Sequence, residues 1–234
     1  MKITKMNLIF YLMICMSSSG CSLNGSGSVI TESRSVGTFN GIELKCAANV
    51  YLTQGKEESV KIEAEDNLIQ YISITVNDNE LIIKEDKNLK YNRPVNVYIT
   101  MKEICLLDLS GSGNIVMRNV FDCSSMNFRL SGSGDIRAMV MTNNLKATVN
   151  GSGSMNINGR AKSIDVRVNG SGNVSADGLK AMTGKVSLTG SGNTKIDVEQ
   201  DLNATITGCG NLYITAEPES MNAKVTGSGK VLKL

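Results

Sequence analysis

A glycine tripeptide that returns at near-constant spacing constrains this chain more than any other feature. It occurs at Gly111-Ser112-Gly113, Gly132-Ser133-Gly134, Gly151-Ser152-Gly153, Gly170-Ser171-Gly172, Gly190-Ser191-Gly192, Gly208-Cys209-Gly210 and Gly227-Ser228-Gly229. Successive starts lie 21, 19, 19, 20, 18 and 19 residues apart, a regularity that marks a repeat architecture. Two and four residues before each first glycine stands an apolar residue, from Leu109/Leu107 through Val166/Val168 to Val225/Ala223. The residues between them are polar, and the residue touching the glycine is Ser, Asn or Thr. Alternation resumes after each corner, as in Ile115/Met117 and Ile136/Ala138, and only Thr194 and Lys233 break it. Period 2 running into a glycine pair is a half-buried strand entering a tight turn.

Each unit therefore reads as strand, glycine corner, strand and looser loop in about 19 residues. One unit has a single narrow apolar face and cannot bury it alone, whereas coils stacked on coils can. The expectation is an all-β parallel β-helix, or β-solenoid, over residues 106–234, with seven corners spanning about 30 Å at about 4.8 Å per coil. The glycines are expected to supply positive φ at the corners. The Ser and Asn beside them are expected to bond their own turn or the next coil as polar ladders.

Residues 36–105 lack the glycine signature but alternate too, at Ile42/Leu44, Val50/Leu52, Val60/Ile62 and Val95/Val97. They are expected to form three or four wider coils that cap one end. Residues 1–20 have the organisation of an export signal: Lys2 and Lys5, then an apolar run from Met6 to Met16 too short to span a bilayer. Ser17-Ser18-Ser19-Gly20 leads to Cys21, the expected lipid-attachment site of a membrane-anchored mature chain. Residues 21–35, rich in Gly and Ser, then read as a lipidated, flexible tether.

Composition excludes several functions. The chain has no His among 234 residues, which removes Ser-His-Asp and Cys-His catalysis, an imidazole base and His-ligated zinc. Loss of Lys2 and Lys5 with the signal turns the net charge of +2 into a neutral balance, and no basic block exists, so no nucleic-acid partner is expected. Cys46, Cys105, Cys123 and Cys209 follow no metal or redox spacing. Cys105 and Cys123, nearly one repeat apart, are placed for a disulfide on adjacent turns; the alternative is that the cysteines are small buried hydrophobes. The corners lack a P-loop pattern, and one acid (Asp135) after seven corners cannot form a calcium column. No metal or cofactor is expected.

Three function classes remain. A binding surface needs aromatic platforms, and Tyr51, Tyr71, Tyr91 and Tyr98 concentrate these in the first section. A polysaccharide-active enzyme would use carboxylate and Arg, with Asp135/Arg137 and Asp165/Arg167 as candidates. A structural scaffold would self-associate through an uncapped last coil, residues 223–234, presenting a sheet edge.

The run Phe39-Asn40-Gly41-Ile42, the strand Asn49–Leu52 and the segment Leu109–Ile115 resemble the putative auto-transporter adhesin, head GIN domain family over residues 36–234. The resemblance implies a right-handed parallel β-helix on an envelope lipoprotein of Bacteroidetes-type bacteria, held at the outer membrane. It carries no catalytic or ligand residues. The reading is a non-enzymatic, lipid-anchored protein presenting a rigid surface to a glycan or surface protein, with the scaffold and enzyme as alternatives.

Overall fold

The computed structural model describes residues 22–234; the signal segment and Cys21 lie outside the described residues. The chain begins with β1 (Leu23–Asn24), β2 (Val29–Arg34), β3 (Gly41–Leu44), β4 (Asn49–Gln54) and β5 (Ser59–Glu65). There follow β6 (Ile72–Asn77), β7 (Glu80–Glu85), β8 (Leu89–Lys90) and β9 (Asn96–Met101). The repeats supply β10 (Leu106–Leu109), β11 (Asn114–Met117), β12 (Phe121–Leu130), β13 (Asp135–Gly151), β14 (Ser154–Gly170), β15 (Asn173–Gly190), β16 (Thr194–Gly208), β17 (Leu212–Ile214), β18 (Ser220–Gly227) and β19 (Val231–Lys233).

From β10 onward the architecture is the expected parallel β-solenoid. Registers run 19 residues apart through β13 and β14, with Ile136 opposite Met155 and Val149 opposite Val168. The 20-residue coil is absorbed as a bulge, where the register shifts between Asn156 and Asn158. Inward residues such as Ile136, Val149, Val166, Leu188 and Ile206 are buried in one continuous core. Outward residues alternate with them, which is the period-2 pattern made physical.

The looser loop between strands is not a loop. β13 to β15 each run unbroken from one glycine corner to the next. Stacked turns of similar shape keep their backbone groups paired to the coils on either side, so the chain bends without leaving the ladder.

The corners show two different needs for glycine. At Gly170 φ is +123°, in the region that favours glycine. Gly134 has no positive φ, yet a Cβ there would overlap the carbonyl oxygen of Gly113 in the coil below. Positive φ alone therefore does not explain the second glycine of each pair; axial close approach does. The stack also holds a corner without glycines: Lys45–Ala48 joins β3 to β4, and its backbone carbonyls at Cys46 and Ala48 receive the Gly113 and Asn114 N–H groups.

The first section departs most from expectation. β3 and β4 stack directly on β10 and β11, and β7 and β9 stack in turn on β3 and β4, all parallel. The coil order therefore does not follow chain order. β6 pairs antiparallel with β7, β5 with β9, and β2 with β5, so antiparallel strands, not further coils, finish this end. Antiparallel pairing lets a short hairpin cover a sheet edge that a parallel coil would expose again. The flexible tether expected at 22–35 is likewise corrected: β2 is a sheet strand and β1 pairs with β8.

Candidate functional site

Each sequence candidate has a definite place. Tyr51 and Tyr98 face each other across β4 and β9, with ring centroids 5.3 Å apart and planes within 16°. The Arg118 guanidinium lies 4.5 Å from the Tyr51 ring and 5.1 Å from the Tyr98 ring. Burial, then the Glu63 carboxylate, pushes the Tyr98 hydroxyl pKa up. Tyr71 and Tyr91 are not part of this stack. The Lys87 ammonium covers the Tyr71 ring at 4.1 Å. Burial raises the Tyr91 pKa, and nearby Glu85 adds to it, although the Tyr91 hydroxyl forms no hydrogen bond. The faces of Tyr51, Tyr71 and Tyr98 are thus covered by one another or by cations, an arrangement that stabilises a surface more than it opens a platform.

The two carboxylate–Arg candidates lie on opposite sides of a glycine corner. Asp165 accepts from Arg167 at 2.8 and 3.3 Å on the strand entering a corner. Asp135 stands just after a corner, in register with Asn114 and Ser154. They do not converge on one reacting centre.

The glycine corners consume their own donors. Ser171 and Gly172 both donate backbone N–H to the Gly151 carbonyl at 3.0 and 2.8 Å, and Ser191 and Gly192 repeat the pattern on Gly170. Beside them run the expected polar ladders. Asn114 donates to Asn49, Asn49 to Asn96 and Asn96 to Glu63, at 2.9, 3.1 and 3.2 Å. Farther along, the Asn193, Asn211 and Lys230 N–H groups each donate to the Asn side chain one coil back. The corner glycines are framework.

All four described cysteines are free thiols. The packing reading fits Cys46, which is 7% exposed and whose thiol burial pushes up to about 11. It does not fit Cys105 and Cys209, which are exposed. The β10–β12 register sets Leu106 opposite Asn127, so Cys105 falls three residues out of step with Cys123. Among the described residues no group of three or more His, Cys, Asp or Glu is placed to hold a metal, and no helix is long and apolar enough to cross a membrane.

A further surface feature is one the sequence did not reveal. Where β12 to β16 bend between corners, a groove of about 600 Å³ crosses five coils. Its floor is the register file Cys123, Thr142, Ala161 and Ala181. Asp122, Met141, Arg160 and Lys180 form one lip, in register with one another. Two residues on, Asn143, Lys162 and Met182 form the other. Small floor residues between long lip residues make the groove concave. Met141 and Met182 are each 48% exposed. Arg160, Lys162 and Lys180 enter no ion pair among the described residues. Asp122 and Glu199 close the two ends.

Fold and surface together define a parallel β-solenoid carrying an open cationic groove. Within that class, the chain belongs to the putative auto-transporter adhesin, head GIN domain family, whose model matches residues 38–218. Among solved structures, a putative adhesin from Bacteroides fragilis is similar at 22% identity, covering 91% of this chain and 100% of that one, with a TM-score of 0.86. A putative lipid binding protein from Parabacteroides distasonis is similar at 21% identity, 92% and 100% coverage and a TM-score of 0.75. A putative adhesin from Parabacteroides merdae follows at 21% identity, 91% and 99% coverage and 0.72. At such identities these likenesses establish the fold alone. No curated protein matches the sequence.

Proposed function

We infer that this protein is a non-enzymatic adhesin of the cell envelope, lipid-anchored through Cys21 after removal of residues 1–20, that binds a glycan or surface protein along the groove between β12 and β16. The observation that carries this reading is the set of three cations, Arg160, Lys162 and Lys180, left without intramolecular partners around a concave floor. An unpaired cationic groove on a rigid rod supplies charge complementarity from a backbone that is already ordered. The separation of Asp135 from Asp165 across a corner favours binding over carbohydrate cleavage.

Two measurements test it. External proteinase should remove the solenoid from intact cells, and a protected chain would overturn surface display. Adherence of cells bearing the full chain to immobilised host glycans and matrix proteins should fall at least tenfold in Arg160→Ala/Lys162→Ala/Lys180→Ala. Unchanged adherence with unchanged circular dichroism would overturn the groove assignment.

A second reading rests on the last coil. β18 and β19 pair on one side only, with β16 and β17, and Met221, Val225 and Leu232 are exposed. A second copy pairing through residues 223–234 would cover them, giving a structural scaffold. Sedimentation of the full chain across a hundredfold concentration range should then show a dimer that Val225→Lys abolishes.

A further inference from the structure

The distribution of charge along the groove narrows what it can hold. The cations occupy only β14 and β15, the third and fourth of the five coils, with Arg160 opposite Lys180 in the register and Lys162 across the floor from Arg160. Carboxylates stand at both ends, Asp122 beside Met141 and Glu199 beyond Ala181. A uniformly charged polyanion lying along the axis would meet attraction in the middle and repulsion at each end. Like charges brought together at close range disfavour such a ligand strongly. A neutral chain would leave three cations unanswered. The complement is a chain with an isolated anionic group between neutral, hydroxyl-bearing units.

We propose that the groove binds an oligosaccharide in which one carboxylate-bearing sugar is flanked by neutral sugars; this rests on the groove being the adhesive surface. The sugar carboxylate lies among Arg160, Lys162 and Lys180, where charge-assisted hydrogen bonds are the strong ones. Hydroxyls of the neighbouring sugars donate to Asp122 and Glu199. The C–H faces of the rings lie against Met141 and Met182, whose flexible thioethers conform to irregular apolar surfaces. Four coil spacings of about 4.8 Å give the groove a length of about 19 Å, enough for a short oligosaccharide rather than a single sugar.

The test is calorimetric titration of the full-length chain, in nonionic detergent, with three probes. These are the hyaluronan-derived trisaccharide N-acetylglucosamine–glucuronate–N-acetylglucosamine (one carboxylate sugar between two neutral ones), neutral chitotriose, and a size-matched, densely sulfated heparin fragment. The hyaluronan fragment should bind at least tenfold more tightly than either of the others. Arg160→Ala/Lys162→Ala should abolish that binding, and Asp122→Asn/Glu199→Gln should reverse the order by improving heparin and weakening hyaluronan. Heparin binding tighter than hyaluronan to the unaltered chain would overturn the proposal and leave a simple anion patch. Chitotriose binding equally would overturn it as well. No binding of any probe, with groove-dependent cell adherence retained, would sink the ligand class alone. Loss of groove dependence in adherence would sink the adhesive reading itself.

Discussion

The carboxylate of Glu65, at the end of β5, accepts the backbone N–H of Gly27, in the turn just before β2. Its other oxygen accepts the Asn92 and Arg93 N–H groups at 2.9 and 3.3 Å. Glu65 has no solvent-exposed surface, and a Cβ on Gly25 would run into its carboxylate. One buried acid thus pins the segment after Cys21 onto the solenoid end, where a free tether was expected.

Acid should release that segment first. Burial alone pushes the Glu65 pKa up, but the N–H groups of Asn92, Gly27 and Arg93 and the Arg93 charge outweigh it and hold the carboxyl below its usual 4.5. A lowered folded pKa means the stabilisation is present above the usual value and is lost as pH falls through the lower one. Hydrogen exchange of residues 23–34 should rise sharply below about pH 4 while β13 and β14 stay protected. Glu65→Gln should show the same loss at neutral pH, costing on the order of 2 kcal/mol for hydrogen bonds to a charged group.

The second glycine of a corner should be far less replaceable than a surface glycine. Gly134→Ala forces a Cβ into the Gly113 carbonyl and should cost about 3 kcal/mol or more. Gly37 has nothing near its missing Cβ and no positive φ, so Gly37→Ala should change stability by less than about 0.5 kcal/mol. Chemical denaturation of the two variants checks the contrast.

Thr194, which breaks the apolar alternation, is fully buried and its hydroxyl has no hydrogen-bond partner. Thr194→Val removes that unsatisfied group at nearly constant shape and should stabilise by about 1 kcal/mol. A lower midpoint of unfolding in the variant would contradict this.

Thiol reactivity should sort by environment. Cys105 and Cys209 are exposed and should be labelled quickly by a thiol-exchange reagent at pH 8, whereas Cys46, buried and with its thiol pushed up to about 11, should react only on unfolding. Mass spectrometry of partially labelled protein reads the order.

Residues from 106 onward were legible because their signal is local. Leu130, Val149 and Val168 each precede a corner by two residues, and all three are buried in one file of the core. The first section was not, since alternation at Ile42/Leu44 or Val60/Ile62 specifies which side faces inward but neither the partner strand nor its direction. β3 found partners in β7 and β10, and β5 found antiparallel ones.

By itself, the sequence determined the repeat length, the inward face of each strand and the glycine corners, because period-2 patterning and backbone sterics act over a few residues. Tertiary structure decided the out-of-order first coils, the Glu65 clamp and the groove. Arg160 and Lys180 become neighbours only once register is set across coils of 18 to 21 residues, and one bulge suffices to shift it.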